Sequence, residues 1–255
     1  MNISERINKL LNKGGNQVFK ESIDSKLSIP EQAEHFYRKV YGLTPVKENL
    51  FRTIISVDQI NALVIGKSGS GKTVLMDVTR ENCNNVVYID CANTSGAGII
   101  SLLQANQKAD IVILDEIDKL NKKDQTMILG FLNNGWVEKN LKNEKIKFHM
   151  NCKVLATSNS ISKLGAALRN RFVEFHIREY TDEEFVECIK FCLNGKFLDQ
   201  TAEIIAKVLI AYERKDVRAA ITISRWIQPK DSVEDITRVI ENWVTNLASE
   251  AVDYN

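Results

Sequence analysis

Eight residues, Gly66-Lys67-Ser68-Gly69-Ser70-Gly71-Lys72-Thr73, have the spacing G-x-x-x-x-G-K-[ST] of a phosphate-binding P-loop. Glycines let the backbone curl so that its N–H groups face phosphate oxygens. A helix that opens at Thr73 adds the positive potential of its N-terminus. Lys72 offers a cation to the β- and γ-phosphates, and the Thr73 hydroxyl is a ligand for Mg²⁺. Downstream, the apolar run Ile111-Val112-Ile113-Leu114 ends in Asp115-Glu116, which is the Walker B pattern. Asp115 would hold the Mg²⁺ shell while Glu116 polarises the attacking water. This set of residue types points to hydrolysis of a nucleoside triphosphate.

Such residues need elements to hold them. Ala62 to Ile65 is an apolar run that reads as a buried strand, and Thr73 to Arg80 continues as a helix. Strands are also expected at Val86–Asp90, 110–115, 153–157 and 173–177, with helices at 99–107 and 122–133 between them. The alternation predicts a five-stranded parallel sheet sandwiched by helices. Beyond residue 179 the pattern is helical only. Thr181-Asp182-Glu183-Glu184 is a capping box, and further helices are expected at 201–213, 217–227 and from Ser232 to about Ala251. The expected organisation is a polar N-terminal arm (1–28), an α/β domain (29–179) and a small all-α lid domain (180–255).

Composition bounds the rest. A chain of 255 residues with 44% hydrophobic and 26% charged residues is an ordinary globular sequence, large enough for one domain plus a smaller one. A net charge of +1 argues against general electrostatic attraction to nucleic acid and leaves a local basic patch open. The five cysteines, Cys83, Cys91, Cys152, Cys188 and Cys192, form no Cys-x-x-Cys pair and read as reduced core thiols, so a cytoplasmic setting is expected. No apolar stretch predicts a membrane span.

From about residue 35 to 226 the chain resembles the AAA+ ATPases, and the resemblance implies ATP and Mg²⁺. Ala156-Thr157-Ser158-Asn159, ending a strand, resembles sensor 1, which implies that Asn159 contacts the γ-phosphate or the water. Leu164 to Phe172 resembles the segment with the arginine finger; Arg171 matches its position and Arg169 is a second candidate. A finger acts on the nucleotide of a neighbouring subunit, where it neutralises charge on the transferred phosphoryl group. Asp216-Val217-Arg218 resembles sensor 2, with Arg218 reporting the γ-phosphate. Val40-Tyr41-Gly42-Leu43 resembles the box that lines the adenine, so Tyr41 and Gly42 join the cofactor-binding set. The family also implies a homo-oligomeric ring, of six subunits by analogy.

Trp136–Lys139 and Lys145–Phe148 alternate as two strands around Leu141–Glu144. This resembles the pre-sensor-1 hairpin of RuvB-type motors, minichromosome-maintenance helicases, MoxR-type chaperones and enhancer-dependent activators. Lys139, Lys142, Lys145 and Lys147 make it basic, suited to phosphate contacts without sequence readout. The overall run is most similar to RuvB-type motors, although only about one helix follows sensor 2, so their winged-helix DNA-binding domain is not expected. The loop Asn93–Ile99 has no aromatic residue with which to grip a threaded polypeptide. DNA remodelling, loading or translocation is one implied role, with DNA or a DNA-bound complex as partner. A MoxR-like ATPase acting on a protein client is the other. A nucleotide switch without turnover is disfavoured by Glu116 and Arg171.

Overall fold

Five short strands, β1 (Asn61–Ile65), β2 (Val86–Asp90), β3 (Ile111–Asp115), β6 (Lys153–Ser158) and β7 (Val173–His176), pair in parallel in the order β2-β3-β6-β1-β7. The structure is a computed structural model that describes residues 18–20, 24, 26–140, 145–228 and 230–252, with backbone only at 139, 140, 145, 146 and 246–252. The chain forms two compact units: one runs to Ile177, the other from Arg178, and Ser68–Ser70 group with the latter.

Every residue of β1 and β3 is buried, as expected where helices cover both sheet faces. Strand alternation sorts their side chains into two cores. Leu63, Ile65, Val112, Leu114, Val154 and Ala156 pack with α4 (Gly96–Ala105) and α5 (Lys122–Asn134). Ala62, Val64, Ile111, Ile113 and Leu155 pack with α1 (Ile29–Phe36), α2 (Thr44–Ile55) and α3 (Lys72–Asn82). Within the polar leader, Phe19 is buried in the second core, its ring stacked 5.9 Å from Phe51.

The helix expected from residue 99 starts three residues earlier, at Gly96, because the Ser95 hydroxyl accepts from Gly98 N–H and caps it. The hairpin is present as β4 (Trp136–Asn140) and β5 (Lys145–His149), antiparallel, with Val137 opposite Phe148. Val137 is buried and Phe148 packs against the same core, so one face of the hairpin is rooted in the α/β unit.

A four-residue helix, α6 (Ala166–Arg169), precedes β7. The second unit comprises α7 (Asp182–Leu193), α8 (Asp199–Ala211), α9 (Val217–Ile223) and α10 (Val233–Val252) around its own core, including Phe185, Ile205, Leu209, Ile223 and Ile240. Its first helix opens with the expected capping box: Glu184 N–H donates to Thr181 Oγ1, and the Glu184 carboxylate accepts from Thr181 N–H. The Arg178 guanidinium clasps that carboxylate and, together with the Thr181 N–H bond, holds it down at about 2.

All five cysteines are reduced; four are buried and Cys192 is exposed. Burial pushes the Cys83, Cys91 and Cys152 thiols up to about 12, which leaves them unreactive. No helix among the described residues is long and apolar enough to cross a membrane.

Candidate active site

The parallel sheet places the C-terminal ends of β1, β3 and β6 side by side, because β6 lies between the other two. Each delivers one part of the site. From β1 the chain enters the P-loop, where Gly69 (φ 80°) and Gly71 (φ 91°) adopt left-handed conformations that an L side chain resists. Gly71 is the N-cap of α3, whose first-turn N–H groups have no acceptor within the helix. Gly66 N–H donates to Ser158 O (3.2 Å), which ties the start of the loop to the end of β6. Lys72 is buried, and its Nζ donates to the carbonyls of Gly66 (2.6 Å) and Lys67 (2.7 Å). Thr73 follows in the first turn of α3, and Ser68 completes the loop. Ser70 Oγ is buried and has no hydrogen-bond partner among the described residues.

Hydroxyl and amide groups hold the two acids at the end of β3. Asp115 is buried; Tyr88 O–H donates to its Oδ2 (2.5 Å) and Thr157 O–H donates to its Oδ1. The same Thr157 oxygen accepts from Glu116 N–H (2.9 Å), so one side chain of β6 fixes both acids. Glu116 sits at φ 53°, a left-handed conformation costing about 1 kcal/mol, and the Thr157 bond offsets part of that cost. Asn159 Nδ2 donates to Glu116 Oε1 (3.1 Å), while Asn159 N–H donates to the buried Asp118 (3.0 Å). Burial, reinforced by the Asp115 carboxylate, raises the Tyr88 phenol well above its ordinary range, so it stays a donor.

The sheet thus gathers Asp115, Glu116 and Asn159, and the backbone from β1 carries Gly66, Lys67 and Lys72 to the same edge. The turn before α2 reaches it too. Gly42 (φ 58°) and Leu43 (φ 56°) are both left-handed, and a Cβ on Gly71 would lie 3.4 Å from Leu43 Cδ1. Tyr41 and Gly42 therefore belong to a turn that packs beside the P-loop. Arg218 lies in the first turn of α9 in the helical unit, where its N–H donates to the Asp216 carboxylate (2.8 Å).

Arg171 is elsewhere. It precedes β7, whose Val173 pairs with Ala62, so it lies at the N-terminal edge of the sheet. A strand the length of β1 separates that edge from the P-loop, roughly 13 Å at ~3.3 Å per residue. Its side chain is exposed. Arg169 differs: it forms a fork with Glu174 at 2.8 and 3.0 Å and is committed within its own chain.

In the hairpin, Lys147 pairs with Glu138 (2.6 Å) and lies 4.9 Å from the Trp136 ring centroid, so it is already engaged. Lys142 and the side chains of Lys139 and Lys145 lie outside the described residues.

Hydroxyl and carboxylate donors at Thr73 and Asp115 suit Mg²⁺, a hard cation that takes few protein ligands and completes its shell with water and phosphates. The glycine curl and the orphaned Ser70 hydroxyl likewise suit an anionic ligand. Sequence reasoning missed Tyr88, Thr157 and Asp118. Thr157 stood inside the sensor segment, and Tyr88 is the one hydroxyl-bearing residue of β2, but nothing local signals their partners.

Residues 62–180 match the ATPase family associated with various cellular activities (AAA). In fold the chain is similar to a RuvB point mutant of Thermotoga maritima (TM-score 0.61, 17% identity, 80% of this chain and 71% of that one). It is also similar to that organism's RuvB Holliday junction branch migration motor (TM-score 0.58, 19% identity, 81% and 72%). A curated relative, DNA replication licensing factor Mcm6 of Drosophila melanogaster, is 21% identical over 72% of this chain. The chain spans about a quarter of that relative's length, 26%. The Walker segments and the sensor strand lie inside the matched region, residues 62–180, so this part of the chain is similar to that family in both sequence and fold.

Proposed function

We propose that this chain hydrolyses ATP at a site shared between neighbouring copies in a ring, and that it couples hydrolysis to work on DNA or a DNA-bound complex. The observation that carries the first part is the clustering of Asp115, Glu116, Thr157 and Asn159 beside the P-loop. The P-loop N–H groups and Lys72 would bind the phosphates, with Ser68, Gly69 and Ser70 shaping the curl and Tyr41 and Gly42 flanking the base. Thr73 and Asp115 would hold Mg²⁺, which neutralises charge on the transferred phosphoryl group. Glu116 takes the proton of the attacking water, and the Asn159 amide keeps the Glu116 carboxylate oriented. Arg218 in the helical unit is assigned the nucleotide-sensing role. Residues 180–255 would form the lid and 1–28 the arm.

Arg171 lies too far from its own P-loop to serve there. Its placement fits donation to the next copy, which makes assembly a requirement for turnover. Six subunits is the number we propose.

The DNA assignment is supported by the likeness to a RuvB branch migration motor and to a DNA replication licensing factor, and by the presence of the hairpin. Lys147 is paired with Glu138, so the proposal places the phosphate contacts of the hairpin first on Lys142 and Lys145. The test is ATPase activity with single- or double-stranded DNA, before and after charge removal at Lys142 and Lys145. Stimulation lost in that variant supports the assignment. Absence of stimulation, together with co-purification of a protein with Glu116→Gln trapped on ATP, moves the reading to a protein client.

A further inference from the structure

Two buried amide side chains clamp the segment that carries Arg171. Asn61 opens β1 and is 8% exposed. Its amide nitrogen donates to Leu132 O (2.7 Å) and to Arg171 O (3.1 Å). Leu132 is in the last turn of α5, where carbonyls have no partner within the helix. The Asn61 amide therefore caps α5 and fixes the finger residue's own backbone with one group. Its two N–H bonds are both used, while its Oδ1 has no hydrogen-bond partner among the described residues. An amide that leaves a buried oxygen unsatisfied is retained at a cost of about 1–3 kcal/mol, so its donors are what the position demands.

Gln125 does the same at the other end of the segment. It lies in the first half of α5 and is 5% exposed. Its Nε2 donates to Leu120 O (2.9 Å) and Lys163 O (3.0 Å), and its Oε1 accepts from Gly165 N–H (3.0 Å). Gly165 is the N-cap of α6, the short helix that leads to Arg171. The helix α5 thus meets the finger segment directly at Gly165, through Gln125, and indirectly at Arg171, through the Asn61 amide of β1. The same helix ends at Gly135 (φ 73°) and continues directly into β4 of the hairpin.

We propose that Asn61 and Gln125 are positioning residues for Arg171, so that α5 sets where the finger is presented to the neighbouring copy. The proposal rests on the trans role of Arg171 put forward above. Asn61 lies at the opposite end of β1 from the P-loop, whereas Gln125 bonds segments that follow β3 and β6, so donors whose own site is silent are needed to isolate the effect on the neighbour. Misplacement of a reacting group by about 1 Å costs on the order of 100-fold in rate, and partial loosening costs less.

The experiment uses donor subunits of the full chain that carry Lys72→Ala, so that their own site is silent, mixed in excess with wild-type subunits. Donors with Asn61→Ala, Gln125→Ala or Arg171→Ala are compared with the plain Lys72→Ala donor, after sedimentation shows that each assembles. The expected result is a kcat of the wild-type sites lowered roughly 10- to 100-fold by either amide variant, with KM for ATP unchanged. Neither variant should lower the rate further in a donor that already lacks Arg171. A general folding defect would instead lower the rate in both backgrounds. If one amide variant fails to assemble, the other decides, because the two clamps act on opposite ends of one segment. Should Arg171→Ala donors depress the rate while both amide donors sustain it, the positioning role is overturned and the finger stands. Should Arg171→Ala donors sustain the full rate, the finger assignment falls and the positioning role with it.

Discussion

At the C-terminal edge of the sheet, Asp115, Glu116, Thr157 and Asn159 satisfy one another over 2.9 to 3.1 Å and one shorter contact, Thr157 to Asp115. At the N-terminal edge, the backbone of Arg171 is pinned by Asn61 while its side chain is exposed. The two edges are built from the same strands and differ in where their polar groups are directed. One edge turns its groups inward onto one another. The other fixes a cation's backbone and leaves its guanidinium available. Arg169, two residues away, shows that the exposure is not forced by the local sequence, since its guanidinium is taken up by Glu174. Under the proposed function, the residues assigned to hydrolysis fall at two edges of the sheet, one set bonded together and Arg171 exposed.

The largest effect that would break the comparison comes from the presented edge. Arg171→Ala should lower steady-state ATPase by about 10³-fold or more, with nucleotide binding retained, because a finger is worth at least that much in related chemistry. At the inward edge, Glu116→Gln should keep ATP affinity and lose about 10²–10⁴-fold in kcat. A wild-type rate in that variant removes Glu116 as the base.

Thr157→Val, which keeps the shape and deletes the hydroxyl, should cost roughly 10–100-fold and weaken the Mg²⁺ dependence of nucleotide binding; Thr157→Ser should restore most of both. If Thr157→Val behaves as wild type, the clamp on the two acids is structural decoration.

The smallest effect lies in the helical unit and concerns stability. The Glu184 carboxyl is depressed to about 2 by Arg178 and the Thr181 N–H. A depressed acid stabilises the fold above its unfolded pKa and stops doing so as pH falls through its folded one. The contribution should fade between about 4.5 and 2, and Glu184→Gln should flatten the acid side of a Tm-versus-pH curve.

Much of the inward edge was legible in the sequence, and the reason is local. The P-loop and Walker B motifs are short, their glycines answer a backbone requirement, and the apolar strands before them follow from burial on both faces. The resemblance to AAA+ ATPases supplied the sensor and finger segments. What was not legible is long-range. Tyr88 and Asp115 are 27 residues apart, Thr157 and Asp115 42, Asn61 and Leu132 71. No periodicity encodes such hydrogen bonds; they exist only once the strands and helices are assembled, the sheet in the order β2-β3-β6-β1-β7. The early start of α4 was hidden for a different reason: Gly96 and Gly98 are poor helix formers, and the Ser95 cap overrides them. The commitment of Lys147 to Glu138 was hidden as well, because cross-strand pairing depends on a register that four basic residues do not reveal.

The claim that the site is shared is tested most directly by mixing two inactive variants. Arg171→Ala subunits keep an intact Walker edge, and Lys72→Ala subunits keep an intact finger. A site completed by a neighbour predicts that ATPase activity appears on mixing and passes through a maximum as the ratio is varied, although neither parent is active alone. Co-assembled mixtures that stay as inactive as their parents would contradict it.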